Sequence, residues 1–248
     1  ACREPRPATR TCVSTPSSTP PAAPVPMRSI RATASSRRTQ PSRGRAPTPF
    51  AQAQADLDNV DKLLPQFKTM HPMGAERAQE CVTMTSHDFT SMIYFVQFFV
   101  PTYDRFVIDC DMRSALKWHR RFLQHLQSEH HSERWLLKSP AHLWSLPALL
   151  AEYPDAIVIQ NHRDPLKVIA SISALGASLR EMTTDSFDVR TLAAQYGDDI
   201  MVGLDRALQA RADRLFAPGQ VVDVRYQDCR HDPIATIAHI SDQIGLGL

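Results

Sequence analysis

The stretch IVIQNHRDPLKVIASISAL, residues 157–175, carries the pattern that decides the fold. Ile157, Val158, Ile159 and Gln160 form a short β-branched run of the kind that suits a buried parallel strand. Asn161, His162 and Arg163 leave that run, Asp164 is a good N-cap and Pro165 a natural first helical residue. Some twenty residues earlier WLLKSPAHLW, residues 135–144, repeats the design: three apolar residues, then Lys138, then Ser139 to cap and Pro140 to open a helix. A third apolar run, VVDV, lies at 221–224. Helix-length segments at 141–152, 165–179 and 189–215 separate the three runs, and 233–244 is a last one. This alternation predicts an α/β fold, a three-layer parallel sheet flanked by helices. In such sheets ligands sit beyond the carboxyl ends of the strands, so the residues just after each run are where function is expected.

Further helices are expected before the first strand. Leu57, Val60, Leu63 and Leu64 recur at helical spacing after Ala51, a second helix is expected over 76–99, and a third over 111–129 with an apolar stripe from Met112 to Leu126.

The first fifty residues differ in kind. They hold nine arginines against one acid, Glu4, and ten of the nineteen prolines, leaving 19 basic and 25 acidic side chains in the other 198. So little apolar surface cannot offset the entropy of ordering, so 1–50 is read as a disordered basic tail and 51–248 as the folded domain. The tail's composition fits an organelle transit peptide, a polyanion-binding arm or a simple linker. The five cysteines are odd in number and widely spaced, which points away from a disulfide framework and toward a reducing compartment, the cytoplasm by default. The most apolar window, 92–100, is too short to span a bilayer.

Several residues can carry chemistry. Arg163 leaves a strand beside a helix N-terminus, where a planar guanidinium suits a phosphate; taken alone it reads equally as half of an ion pair. Ser171 follows it by eight residues, about two helical turns, so its hydroxyl returns to the same face. Lys138 is not explained by capping and, alone, reads as a solvated rim lysine. The segment SEHHSE with His125, His130 and His131 reads as a solvated turn before it reads as a metal site. Tyr94, Phe95, Phe98, Phe99 and Tyr103 read as core packing or as the lining of an apolar acceptor pocket.

The segments HPMGAERAQECV (71–82), KWHRRFLQHLQ (117–127), WLLKSPAHL, NHRDPLKVIAS and VRYQDCRHDP (224–233) together resemble the PAPS-dependent sulfotransferases of the bacterial-type branch. The resemblance implies a P-loop-like fold, PAPS (3′-phosphoadenosine 5′-phosphosulfate) as sulfuryl donor, no metal, and transfer to a hydroxyl or amine of a small-molecule, lipid or carbohydrate acceptor. It places the donor's 3′-phosphate on Arg163 and Ser171, the adenine near Tyr226, and the departing phosphate oxygens on Lys138. For the general base it leaves His142, four residues after Lys138, and Glu80. Nothing like the family's P-R-S-G-T-T phosphate loop precedes Ala51, and SRGR at 42–45 lacks the strand and helix such a loop needs, so the domain is expected to be partial at its N-terminal strand. Two other readings stay open: a catalytically inactive sulfotransferase-like fragment that serves as a binding module, and another nucleotide-dependent phosphate-donor transferase. Nucleic acid is not the expected partner.

Overall fold

The computed structural model describes residues 48–129 and 133–247, which belong to the compact unit Ala46–Leu248. The basic tail through residue 47, with SRGR, and the pair His130 and His131 lie outside the described residues.

Helix α1 (Pro49–Leu63) begins where the Thr48 hydroxyl accepts from Ala51 N at 3.2 Å. A one-turn helix α2 (Phe67–Met70) follows. The single helix expected over 76–99 is instead broken in two, α3 (Cys81–Thr85) and α4 (Met92–Gln97). The cause lies between them: a 3-10 turn at Ser86–Asp88 ends on Phe89 in the left-handed region, φ 52°. Ser91 then caps a fresh helix, its hydroxyl accepting from Ile93 N at 3.4 Å and donating to the Val82 carbonyl at 2.7 Å. Helix α5 (Pro101–Asp109), opened by its proline, escaped the periodicity altogether. Helix α6 (Arg113–Gln127) falls within the expected span. The segment expected as one helix over 141–152 is a 3-10 helix, Pro140–Trp144, and then α7 (Leu146–Glu152), because Pro147 restarts the chain one residue into the second element.

Strand β1 (Val158–His162) leads into α8 (Pro165–Arg180), then α9 (Val189–Ala212), and the chain returns in β2 (Val221–Arg225). The short α10 (Tyr226–His231), also unforeseen, and α11 (Pro233–Gln243) complete the order. β1 and β2 pair in parallel, Val158 opposite Val221 through His162 opposite Arg225. The described structure is therefore mixed α/β, mostly helical, with a parallel sheet. The third expected strand, 135–137, pairs with nothing among the described residues. An extended run becomes a strand only when a neighbour completes its hydrogen-bond ladder; here Leu136 is 90% exposed.

Burial explains the stability of the rest. Val222 and Val224 alternate inward on β2 while Asp223 faces out. The main core is helical, joining Phe67, Phe95, Val96 and Val107 to Leu179, Leu192 and Tyr196; full burial of each such apolar side chain contributes about 1.5–3 kcal/mol. Two glycines permit the close approaches. A Cβ at Gly176 would lie 2.4 Å from the Tyr196 hydroxyl, and one at Gly203 2.9 Å from Trp144 Nε1. That indole donates to the Asp199 carbonyl at 2.7 Å, which ties the 3-10 helix after Lys138 onto α9. Among the described residues no helix is long and apolar enough to cross a membrane.

Candidate active site

The parallel register ends on His162 opposite Arg225, so the next residue of each strand, Arg163 and Tyr226, emerge side by side. The Arg163 guanidinium lies 4.6 Å from the centre of the Tyr226 ring, within the range of a cation–π contact. Together they wall a cleft of about 660 Å³ at the carboxyl ends of both strands.

A polar network beneath the cleft fixes the strand ends. Arg211 on α9 donates to both oxygens of Asp223, at 2.5 and 3.1 Å, and to Gln160 Oε1 at 2.6 Å. His162 Nε2 meets the same carboxylate at 2.6 Å. The Arg211 fork first, and His162 second, hold the Asp223 carboxyl below its ordinary value. Asp223 is thus committed to its own sheet.

The cleft itself is left strongly positive. Arg163, Lys167, Arg225 and Arg230 line it and make no ion pair among the described residues. Asp164 is its one lining acid, and the Asp164 Oδ1 is occupied as the cap of α8, accepting from Leu166 N at 3.0 Å. Four cations against one acid leave a net positive cleft, and an anionic ligand relieves their mutual repulsion. The residues therefore fit a phosphate-bearing ligand. Ser171 lies two turns up α8, exposed, and is not part of the cleft wall.

Lys138 belongs to a second cluster and does not line the cleft. Its ammonium pairs with Glu80 Oε1, and His71 Nε2 reaches the same oxygen at 3.3 Å. The backbone joins them as well, Cys81 N donating to the Lys138 carbonyl at 2.9 Å. His71 is stacked on buried Phe67, ring centres 5.8 Å apart. His142 turns elsewhere, partly buried against His119 with ring centres 6.3 Å apart. Burial, and then the neighbouring His119, push its pKa down to about 4, so it is neutral at pH 7. The His119 Nδ1 is in turn linked to the Tyr153 hydroxyl at 2.7 Å.

The aromatic group divides. Phe95 is core, whereas Tyr94, Phe98 and Tyr103 line a small apolar cleft of about 290 Å³ with Phe89 and Val100. Phe99 lies against the Arg180 guanidinium, 5.2 Å from its ring centre. Among the described residues no cluster of His, Cys, Asp and Glu could hold a metal ion.

Sequence reasoning singled out Arg163, Ser171, Tyr226 and Lys138 but missed Lys167, Arg225 and Arg230. Spacing held the signal for one of these: Arg230 follows Tyr226 by four residues on α10, about one helical turn.

The model of the sulfotransferase family matches residues 14–248. Sulfotransferase STF1 from Mycobacterium tuberculosis is 30% identical, with a TM-score of 0.65 over 81% of this chain and 56% of that one. Sulfotransferase STF9 from Mycobacterium avium is 22% identical and similar in fold, with a TM-score of 0.63 over 79% of this chain and 53% of that one. The chain thus spans little more than half the length of these two solved structures. Among curated proteins none matches.

Proposed function

The chain belongs to the sulfotransferase family, and from that premise we propose that it moves a sulfuryl group from PAPS to a hydroxyl or amine of a small-molecule, lipid or carbohydrate acceptor. The observation that carries the reading is the cationic cleft at the ends of β1 and β2, with Arg163 seated on Tyr226. Arg163 holds the donor's 3′-phosphate, with Ser171, exposed on α8 outside the cleft wall, as the second contact this reading assigns to it, and Tyr226 holds Arg163 in place beside the adenine. PAPS, when bound, supplies the sulfuryl group on a phosphate leaving group.

The acceptor side is assigned to the second cluster. Glu80 takes the proton of the acceptor O–H or N–H as its lone pair attacks sulfur. Lys138 exchanges its contact with Glu80 for the bridging phosphate oxygen, whose bond to sulfur breaks, and neutralises the charge that gathers there. The products are the sulfated acceptor and adenosine 3′,5′-bisphosphate. Glu80 is preferred to His142 as base because its carboxylate touches Lys138. The neutral state of His142 keeps it as the second candidate. The unpaired thiols of Cys81, Cys110 and Cys229 suit a reducing compartment, and we assign the protein to the cytoplasm.

Titration calorimetry of the full chain with adenosine 3′,5′-bisphosphate tests the donor site. Saturable binding is expected, and absence of heat at high protein concentration would sink the assignment of Arg163 and Ser171.

A further inference from the structure

The acceptor-side cluster holds one member to which no role has yet been given, His71. Glu80 is the N-cap of α3, and its neighbour Cys81 is buried and tied by its N–H to the Lys138 carbonyl, so the backbone that carries the carboxylate is fixed. Two groups meet one oxygen of that carboxylate. The Lys138 ammonium donates to Oε1, and His71 Nε2 stands 3.3 Å from the same atom. An ionised carboxylate only accepts, so the imidazole proton that faces it lies on Nε2. Two donors take up the two lone-pair positions of Oε1. No hydrogen bond reaches Oε2 among the described residues, which leaves it as the oxygen able to receive a proton.

Anchoring separates the two donors. The Lys138 side chain is 69% exposed, that of His71 37%. The His71 ring lies stacked on Phe67 with an angle of 21° between the planes, and its backbone N–H closes α2 on the Phe67 carbonyl at 2.8 Å. Phe67 belongs to the main core. The His71 Nδ1 is buried with no partner among the described residues, so the contact with Glu80 is the one hydrogen bond of the ring there. A buried nitrogen without a partner costs free energy. The orientation of this ring is therefore set by stacking and by Glu80, and not by Nδ1.

We propose that His71 is a positioning residue for Glu80. Its Nε2–H stays on Oε1 when Lys138 leaves for the bridging phosphate oxygen, and it thereby keeps Oε2 aimed at the acceptor. Oε2 takes the proton that the acceptor oxygen or nitrogen releases as its lone pair bonds to sulfur and the bond from sulfur to the bridging oxygen breaks. The inference rests on the assignment of Glu80 as base and adds to it the group that holds that base once its cation has gone.

Two measurements test this. In long-range proton–nitrogen NMR spectra of the full chain, the His71 signal is assigned as the one lost in His71→Gln. It is expected to show the proton on Nε2 and to shift in Glu80→Gln. A ring protonated only on Nδ1 cannot donate to Glu80 and would overturn the proposal, and this spectrum decides even where another variant at the position does not fold. Turnover of PAPS is then followed with phenol as the hydroxyl probe and aniline as the amine probe. His71→Phe keeps the stacking and removes the donor, so kcat is expected to fall about tenfold to a hundredfold while KM for PAPS stays within about twofold. His71→Gln, whose amide donates from nearly the same point, should stay within about threefold of the wild type. In Glu80→Gln the His71→Phe change should cost less than about twofold further, since no base is then left to hold. Lowered thermal melting with unchanged kcat in His71→Phe would mean packing alone and would overturn the role. A His71→Gln variant as slow as His71→Phe would overturn it too. If Glu80→Gln is slow and His71→Phe is not, only this inference fails; if Glu80→Gln is as fast as the wild type, the base assignment fails and takes the inference with it. A wild type that turns over neither probe would remove the catalytic reading and this role together.

Discussion

Lys138 and Arg163 leave the chain at equivalent places, each two residues before a proline that opens a helix, and they end in different surroundings. Arg163 follows a strand with a partner: five paired positions carry it to Tyr226 and into a cleft of four cations. Lys138 follows a run that pairs with no strand among the described residues, and its ammonium is taken by Glu80. A strand ladder fixes the exit direction of the residue that follows it more firmly than one ion pair and one backbone hydrogen bond fix Lys138. On the proposed assignment the donor side is thus preorganised by backbone, whereas on the acceptor side Lys138 would exchange one partner for another.

That contrast predicts different kinds of loss at the two places. Removing the ammonium with Lys138→Ala should lower turnover by about 10²–10³, the range for deleting one group that stabilises transition-state charge, while affinity for adenosine 3′,5′-bisphosphate stays within a few-fold. Glu80→Gln should also lower turnover but tighten bisphosphate binding slightly, because Lys138 is then released. Parallel loss of turnover and affinity in Lys138→Ala would erase the distinction between the two sides. Arg163→Ala should do the reverse. Its first effect should be on binding, about thirtyfold for the loss of a bidentate charged contact, with turnover at saturating donor much less changed.

The donor side was the more legible because its information is local. The run 157–160 and the Asp164 cap can each be read from a few adjacent residues, and the strand formed one residue from the expected start, although Ser171 lies outside the cleft wall. What stayed hidden depends on register between distant segments. Asp223 is committed to Arg211 and His162, and Arg225 stands opposite His162, only once β1 and β2 have chosen their alignment. On the acceptor side, Glu80 reaches Lys138 across 58 positions of chain. No periodicity encodes that contact, and the break at Phe89 that frees α3 depends on a left-handed residue where nothing local calls for one. The failed strand at 135–137 makes the same point in reverse: an apolar run states a capacity to pair, and only a neighbour turns it into structure.

Capping is where the two junctions should behave most alike. Ser139 Oγ accepts from Ala141 N at 3.2 Å, and Asp164 Oδ1 from Leu166 N at 3.0 Å. Asp164→Ala is expected to cost about 1 kcal/mol of stability in a denaturant titration, since it uncaps a helix of sixteen residues. Ser139→Ala should cost less, because the element it opens is a five-residue 3-10 helix also held by Trp144. A larger loss at Ser139 would mean that this junction is the more tightly built, against the reading of the ladder.

The smallest expected effect separates ring from hydroxyl at Tyr226. If the residue serves chiefly as a platform for Arg163, Tyr226→Phe should leave bisphosphate affinity nearly unchanged, because the face of the ring remains. Tyr226→Leu removes that face, and an exposed cation–π contact of about 0.5–1 kcal/mol corresponds to about a two- to fivefold loss. In Arg163→Ala the same Tyr226→Leu change should cost almost nothing further, since the platform then has nothing to carry. Additive losses in the double variant would show that the ring meets the nucleotide independently of the arginine. The preorganisation ascribed to the donor side would then belong to the ladder alone.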